Sequence, residues 1–340
     1  MKSRPVVIVG DVINDLIVRP KTPVQVGTDT PSEITRSPGG SGANQAAWLA
    51  CLQTPVRFAG RVGAADASYH RDALERLGVA THLVEDASLP TGTIVVLVAA
   101  DGERSMFTDR GASLNLQAAD LPVELLEGAA LLHVSGYQLF AHSTRTAVAP
   151  LWAAARTAGM QISVDPASVG NLREVGRDAF FEWTSGAELV FPNIDEARFL
   201  AKASDREEVV AALLGRYPVV ALKLGAAGAL VATAAGRRVS VSPEPAEVRD
   251  STGAGDAFCA GFLSRWVLGA GLEECAATAV DAAARAVGIV GPGQPSADHP
   301  HPAVGAARAI HLFEATAASA RHRWTRWPRA GASWSCRRTS

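Results

Sequence analysis

The chain has little of what would place it outside the cell or in a membrane. It has only four cysteines, Cys51, Cys259, Cys275 and Cys336, and their spacing forms no pairs. Unpaired cysteines are typical of free thiols in a reducing compartment, so we expect a cytoplasmic protein. The apolar run of residues 6–9 is too short to span a bilayer, and we expect neither a signal peptide nor membrane association.

The chain also has no large excess of positive or negative charge, with 32 Lys and Arg against 34 Asp and Glu. The formal net charge is −2, which gives no general attraction to nucleic acid or to a membrane surface. The exception is the basic stretch of residues 321–338, where Arg and Trp are interleaved. We interpret this stretch as a solvated, flexible tail in preference to a nucleic-acid contact, so we expect no nucleic-acid partner.

Two nucleotide-binding classes lack their signatures. No glycine-rich loop ends in Gly-Lys-Ser or Gly-Lys-Thr, which excludes a Walker-type ATPase. The stretch Gly40-Ser41-Gly42 superficially fits a dinucleotide-binding fingerprint, but it does not follow the first strand directly, as a dehydrogenase would require. The histidines His142, His301 and His311 show no metal-ligand spacing.

The chain does contain alternating strand and helix patterns. With 340 residues, 48% of them hydrophobic, it can bury a large core. Buried strands are predicted near residues 6–9, 58–62, 131–135, 161–165, 188–191 and 219–224, with helices near 44–51, 70–77, 143–158, 194–202, 206–214 and 257–268. The alternation predicts an α/β fold with a mostly parallel sheet.

One region interrupts this alternation. Residues 93–99 and 104–108 flank Asp101-Gly102, a strong signal for a β-hairpin, and residues 30–36 form another extended segment. These strands could form a small separate sheet over the site. A lid of this kind excludes water, which a phosphoryl-transfer enzyme needs in order to suppress ATP hydrolysis.

The most informative motif is Asp250-Ser251-Thr252-Gly253-Ala254-Gly255-Asp256. Three small residues before an apolar helix expose backbone N–H groups at a helix N-terminus, which is a site for an anion. Asp256 places a carboxylate in that site, where a purely structural acid would repel the ligand. A kinase needs such an acid to take the proton from a hydroxyl, and the helix dipole is expected to keep it ionised.

Two motifs together resemble the PfkB (ribokinase-like) family of carbohydrate and nucleoside kinases. The first is Gly39-Gly40-Ser41-Gly42-Ala43-Asn44-Gln45-Ala46, followed by Gly60-Arg61-Val62-Gly63, and the second is the stretch from Asp250 to Asp256. The resemblance extends from about Val6 to Ser296. It implies a three-layer sandwich with a mostly parallel central sheet and a small β lid.

The resemblance implies roles for matching residues. For the catalytic step these are Asp256 as the base and the amides of Gly253, Ala254 and Gly255 as the anion hole. The implied acceptor site comprises Asp11, Asp15, Gly39, Gly40 and Asn44, and the implied ATP site comprises Asn193, Glu196, Lys223, Gly225 and Gly228. Glu196 is associated with Mg²⁺ indirectly. Asp250, Thr252 and Ser296, with carbonyl groups near Val287, Val290 and Pro292, resemble a monovalent-cation site for K⁺.

Some positions depart from the family pattern, and several side chains keep a structural alternative. Ser41 stands where ribokinases often carry lysine, and Ser251 gives Asp-Ser-Thr in place of the commoner Asp-Thr-Thr. We interpret Arg110 as a surface arginine in preference to a contact with an anionic substrate group. For His133 and Tyr137, a place in the core or at the rim is favoured over substrate contact.

The sequence therefore predicts an ATP- and Mg²⁺-dependent kinase that phosphorylates a hydroxymethyl group of a sugar of the ribose, fructose or 2-keto-3-deoxygluconate class. A nucleoside acceptor such as adenosine or pseudouridine is the alternative, with Phe107 and the segment Thr30-Pro31 as candidate contacts for the base. We expect a kinase domain over residues 1–300, with the lid from about 28–38 and 91–110, and a C-terminal helix and basic tail over 301–340. A homodimer formed through the lid is a further expectation.

Overall fold

The computed structural model of the protein describes residues 4–99, 104–244, 250–288 and 310–314. For Arg104 and for residues 310–314 only the backbone is described. In these ranges, no helix is both long and apolar enough to cross a bilayer.

The strands belong to two sheets. In chain order they are β1 Val6–Val9, β2 Ile13–Pro20, β3 Ser32–Gly39, β4 Val56–Gly63, β5 Ala80–Asp86, β6 Thr91–Val98, β7 Arg104–Gly111, β8 Leu131–Ser135, β9 Gln161–Asp165, β10 Leu189–Val190, β11 Val219–Lys223, β12 Ala229–Thr233, β13 Arg237–Val241 and β14 Ile310–Glu314. The large sheet has the order β14-β13-β12-β11-β10-β9-β8-β1-β4-β5. Its strands from β11 to β5 are parallel, and the other three continue it in antiparallel fashion. The predicted α/β fold with a mostly parallel sheet is confirmed.

Helices cover both faces of the large sheet. They are α1 Ser41–Cys51, α2 Ala67–Arg76, α3 Tyr137–Phe140, α4 His142–Thr157, α5 Val169–Val175, α6 Arg177–Trp183, α7 Ile194–Ala201, α8 Arg206–Leu214, α9 Ala254–Trp266 and α10 Leu272–Ala286. Alternate residues of β1 enter different cores: Val6 and Ile8 pack with α1, α2, α9 and α10, while Val7 and Val9 pack with α3 to α8. A strand buried on both faces needs a continuous apolar sequence, which is why β1 is recognisable from the sequence.

The register of the parallel strands brings distant residues to one edge. Val9 pairs with Val134, Val134 with Val164, Val164 with Val190, and Val190 with Val220. The carboxyl ends of these strands therefore finish side by side. In open α/β sheets, ligands bind in the crevice outside these strand ends.

The small sheet has the order β3-β2-β6-β7. The predicted hairpin corresponds to β6 and β7, although its Asp101-Gly102 turn lies outside the described residues. A polar cluster connects this sheet to the body: Arg36 of β3 pairs with Asp66, and Asn14 of β2 accepts hydrogen bonds from Arg36 at 3.0 and 2.8 Å. Nε2 of His70 in α2 lies 3.0 Å from the same Asn14 oxygen.

The structure corrects the C-terminal prediction at one place. Ile310–Glu314, inside the stretch predicted as a helix and tail, forms β14 and pairs antiparallel with β13. At these five residues the structure has a strand and not a helix, because their backbone pairs with β13 at the edge of the large sheet. The rest of residues 301–340 lies outside the described part of the chain.

The first turn of α1 packs directly on the end of β1. A side chain at Gly42 would place its Cβ 2.5 Å from Cα of Gly10 and 3.2 Å from the Asp11 nitrogen. These neighbours are backbone atoms, so they cannot rotate away as a flexible side chain would. Only glycine lets α1 begin this close to the carboxyl end of β1.

We expect Gly42→Ala to lower the free energy of unfolding by about 1–3 kcal/mol, because the new methyl group must push α1 away from β1. Gly170→Ala is the matched control, since a Cβ there meets only the Ser168 hydroxyl at 3.6 Å, within α5. The control should be neutral or stabilise by up to about 1 kcal/mol. Urea unfolding of both variants measures this, and equal effects would contradict the close-contact argument.

Candidate active site

The N-terminus of α1 is stabilised by the carboxylate of Asp11, in the turn that follows β1. Gly40, at φ 102°, precedes the helix and offers no side-chain cap. Instead, Oδ1 of Asp11 accepts the N–H of Gly42 at 3.2 Å, and Asp11 is only 2% exposed. A side chain at Gly40 would collide with the Asp11 carbonyl oxygen. Asp11 therefore fixes the start of α1 at the sheet edge.

The N-terminus of α9 points into the same region. Gly253 adopts a left-handed conformation with φ 77°, and the helix begins at Ala254 with Asp256 in its first turn. The first amides of a helix have no acceptors within the helix, and the dipole adds partial positive charge there. The predicted anion cradle of Gly253, Ala254 and Gly255 thus lies at a helix N-terminus.

The carboxylate of Asp256 connects the two helices. Its Oδ1 accepts a hydrogen bond from Ser41 Oγ at 2.7 Å, and its Oδ2 accepts one from Asn44 Nδ2 at 3.0 Å. Burial raises the pKa of Asp256 to about 7, while the bonds from Ser41 and Asn44 and the charge of Lys223 act in the opposite direction. The expectation that the helix dipole keeps Asp256 ionised therefore holds only above neutral pH, because desolvation disfavours the anion.

Asp15 is the second buried acid at this place. It lies on β2 of the small sheet and is 7% exposed. A Cβ at Gly39 would collide with the Asp15 carboxylate, so any other residue there requires the Asp15 side chain to move. Burial is the largest cause that raises the pKa of Asp15 to about 7, and the charges of Asp11 and Asp250 add to it.

Arg110 does not lie on the surface as predicted. Its Nη1 donates to Oδ2 of Asp11 at 3.1 Å, and its guanidinium lies 3.7 Å from the ring centroid of Tyr137. The side chain is only 19% exposed. Burial raises the pKa of Tyr137 to about 12, against the charge of Arg110, and Asp11 and Asp256 act on the same hydroxyl. Arg110 thus extends from β7 into the cleft between the small sheet and the body.

Three of the residues expected to contact ATP lie together, at the start of α7 and at the end of β11. Asn193 caps α7, and its backbone N–H and Nδ2 donate to the two carboxylate oxygens of Glu196 at 2.8 and 2.7 Å. Glu196 is 1% exposed, and burial raises its pKa. Lys223 is the last residue of β11, and its backbone forms an isolated parallel β-bridge with Asn193.

Lys223 has an ion-pair partner, Asp165, that no sequence motif indicated. Its Nζ donates to both carboxylate oxygens of Asp165 at 3.0 and 3.1 Å, in a pair that is 13% and 4% exposed. A Cβ at Gly255 would lie 3.4 Å from this Nζ. The positive charge of Lys223 is therefore placed directly beneath the anion cradle. Asp165 ends β9, so its position could have been found from the alignment of strand ends.

The turn after β11 carries the two remaining residues of the predicted ATP site. Gly225 and Gly228 both have positive φ, at 59° and 86°. A side chain at Gly228 would collide with the carbonyl oxygen of Val241. This turn leads into β12 and leaves backbone exposed beside Lys223.

The predicted cation site is only partly described. Asp250 is 6% exposed, its Oδ1 accepts the N–H of Thr252 at 2.8 Å, and its own N–H donates to the Val287 carbonyl at 3.0 Å. Ser296, Val290 and Pro292 lie outside the described residues. Among the described residues, no group of three His, Cys, Asp or Glu side chains could hold a metal ion.

His133 belongs to the core, as favoured from the sequence. It is fully buried, and its Nδ1 lies 2.7 Å from the Ser163 hydroxyl. Arg61 of the Gly60–Gly63 motif is likewise structural, since it pairs with Asp86 at 2.8 Å and with Asp120 at 2.7 Å.

With this geometry established, the comparisons with known proteins decide the family. The sequence model of the pfkB family carbohydrate kinases matches residues 3–299. The chain belongs to this family. It is an ATP-dependent carbohydrate kinase, and the resemblance inferred from the two glycine motifs is confirmed.

Individual relatives cover most of this kinase. A fructokinase from Klebsiella pneumoniae is 31% identical over 268 residues, which cover 76% of this chain and 82% of the relative. The structure of Arabidopsis thaliana ribokinase complexed with ribose and ATP has a TM-score of 0.71 at 28% identity and covers 86% of this chain and 96% of the ribokinase. That of adenosine kinase from Sinorhizobium meliloti has a TM-score of 0.77 at 25% identity and covers 85% and 95%.

Asp15 allows a test of the site through stability. Because its pKa in the folded protein is raised to about 7, the folded state binds a proton between about pH 4 and pH 7 that the unfolded state has lost. This group's contribution to stability therefore falls as the pH rises through that window. For Asp15→Asn, we expect stability relative to the wild type to increase by on the order of 1–3 kcal/mol between pH 5 and pH 8.

Urea unfolding at the two pH values measures this difference. Asp178→Asn is the matched control, since its carboxylate is 83% exposed on α6. The control should show the same stability difference from the wild type at both pH values. A pH-independent effect of Asp15→Asn would contradict the buried, protonated form of Asp15.

Proposed function

We propose that this kinase transfers the γ-phosphoryl group of ATP to a hydroxymethyl group of a sugar, with Asp256 as the base and the amides of Gly253, Ala254 and Gly255 as the anion hole. The supporting observation is the Asp256 carboxylate, which lies between the first turns of α1 and α9. The proposal uses this carboxylate as the proton acceptor and the neighbouring amides as the groups that bind the phosphoryl group.

The chemical step follows from these positions. The acceptor hydroxyl gives its proton to Asp256 while its oxygen forms a bond to the γ-phosphorus, and the bond to the ADP oxygen breaks. A base with a pKa near 7 suits this transfer, because a useful fraction is ionised at neutral pH. The amides at the start of α9 and the charge of Lys223 stabilise the negative charge on the phosphoryl oxygens.

The acceptor is proposed to bind between the small sheet and the body. Asp15 has a carboxylate to which no described residue donates a hydrogen bond, so it is available to a sugar hydroxyl. Asn44 and Asp11 supply further polar atoms, while Gly39 and Gly40 allow the backbone to approach. Arg110 is already paired with Asp11, which favours a neutral acceptor over a phosphorylated one.

The nucleotide is proposed to lie along Asn193, Glu196, Lys223, Gly225 and Gly228. The available groups fit Mg²⁺, which is usually held by one or two carboxylates together with waters and substrate phosphates. Glu196 would act through water, because both of its oxygens already accept hydrogen bonds from Asn193. When bound, Mg²⁺ neutralises phosphate charge and orients the γ-phosphoryl group.

Three further parts of the proposal concern location, cation and assembly. We place the enzyme in the cytoplasm, and we assign K⁺ to the loop of Asp250 and Thr252.

Exposed apolar side chains on the small sheet, Ile34, Met106 and Phe107, support a homodimer formed through this sheet. Sedimentation of the purified protein tests the dimer, and a monomer at micromolar concentration would exclude it.

A nucleoside acceptor is the second candidate. The similarity to an adenosine kinase favours it, as does Phe107, which is 61% exposed on β7 and could stack on a base. A single assay separates the candidates: kcat/KM with ATP and Mg²⁺ for ribose, fructose, 2-keto-3-deoxygluconate, adenosine and pseudouridine. Running it in K⁺ and in Na⁺ buffers tests the cation as well, and equal rates would remove the assignment of K⁺.

We expect Asp256→Asn to reduce kcat by roughly 10²–10⁴-fold while ATP binding stays near the wild-type value, since the amide keeps the shape but cannot take the proton. Single-turnover phosphorylation and ATP titration measure the two properties. Asp195→Asn, an exposed acid in the first turn of α7, is the matched control and should keep wild-type rates. A near-normal rate in Asp256→Asn would refute the base assignment.

A further inference from the structure

The hydrogen bonds to Asp256 are unequally shared between its two oxygens. Oδ1 accepts from Ser41 Oγ at 2.7 Å and also from Gln45 Nε2 at 3.3 Å. Oδ2 accepts from Asn44 Nδ2 at 3.0 Å. Each carboxylate oxygen accepts about two hydrogen bonds, so Oδ1 is filled and Oδ2 has room for one more.

Gln45 donates to both members of the hydrogen bond between Ser41 and Asp256. Its Nε2 donates to the Ser41 hydroxyl at 3.3 Å as well as to Asp256. The residue is fully buried, and its Oε1 has no hydrogen-bond partner in the described part of the chain. An unpartnered buried amide oxygen costs stability, and such costs are typical of functional positions. Ser41 and Gln45 stand four residues apart, on the same face of α1.

We infer that Ser41 and Gln45 are positioning residues that hold Oδ1 of Asp256, so that Oδ2 takes the proton of the acceptor hydroxyl. This inference rests on the proposed function of Asp256. It gives Ser41, at the position where ribokinases often carry lysine, a partner within the protein. The open position of Oδ2 lies beside Asn44, a residue of the proposed acceptor site.

The electrostatic surroundings set the direction of the expected effect. Ser41 and Asn44 of α1 donate to the carboxylate and favour its ionised form, and Lys223 of β11 acts in the same sense. Burial and the charge of Asp165 on β9 favour the protonated form. Two other titratable groups lie close enough to interact with Asp256, the Tyr137 hydroxyl of α3 and the Cys259 thiol of α9. Loss of the Ser41 hydroxyl therefore shifts the balance toward the protonated acid.

The test is the pH dependence of kcat/KM with the best acceptor of the wild-type enzyme. In Ser41→Ala, we expect the acidic limb of the profile to move up by about one pH unit, with a ~10-fold loss of kcat/KM at pH 6.5. Ser41→Thr keeps the hydroxyl and should restore the profile. Gln45→Met keeps the volume without the donor and should shift the limb in the same direction by a smaller amount.

Ser143→Ala is the matched control. It removes a hydroxyl near the start of another helix, α4, where Ser143 donates to the Leu114 carbonyl at 2.8 Å. The control should keep the wild-type profile. Thermal unfolding of every variant shows whether a loss reflects misfolding, and the Gln45→Met and Ser41→Thr profiles decide if Ser41→Ala fails to fold.

The possible results distinguish a failure of this inference from a failure of the proposed function. An unmoved acidic limb in both Ser41→Ala and Gln45→Met, with an active wild type, overturns the positioning role alone. A raised KM for the acceptor at unchanged kcat and pH profile also overturns it, because Ser41 would then contact the acceptor. A wild type that phosphorylates no acceptor overturns the proposed function and this inference with it.

Discussion

Two helices begin at the same point in this protein, and the Asp256 carboxylate lies between them. The N-termini of α1 and α9 both carry partial positive charge from their helix dipoles, and an anion between them offsets the repulsion of these charges. Asp256 supplies that anion from α9 and accepts donors from α1. The glycine contact between Gly42 and Gly10 brings α1 close enough for this to happen.

A buried ion pair lies next to the N-terminus of α9. Asp165 is the last residue of β9 and Lys223 the last residue of β11, with β10 between the two strands. Their side chains pair at 3.0 Å with little exposure to water. Two buried charges seldom stabilise a fold more than apolar side chains would, because desolvation consumes much of their attraction. Lys223 lies beside Gly255 in the first turn of α9. In the proposed mechanism, the pair therefore keeps a positive charge fixed beside the amides assigned to the phosphoryl group.

Much of this arrangement could be predicted from the sequence. The buried strands are continuous apolar runs, and their carboxyl ends must meet at one edge of the sheet. Asn193 and Lys223, which the family resemblance assigned to one site, do lie side by side at this edge. The cap formed by Asn193 and Glu196 is also a local signal, since both residues belong to one helix turn.

Other parts had no local signal. Strand β2 contains Asn14 and Asp15 among apolar residues, and only pairing with β3 and β6 makes it a strand. The contact of Arg110 with Asp11 joins residues 99 positions apart, so neither neighbourhood reveals it. The protonation of Asp256 depends on desolvation by the whole fold, which the helix-dipole argument alone cannot weigh.

The contact of Arg110 with Asp11 has a consequence for the cleft. Arg110 belongs to the small sheet and Asp11 to the body, so the pair exists only while the two are close. Separating them would expose one full charge of each sign to water, and added salt would stabilise these charges in the separated state. If the small sheet moves away from the body, low ionic strength therefore favours the arrangement in which Arg110 and Asp11 are paired, and added salt favours separation.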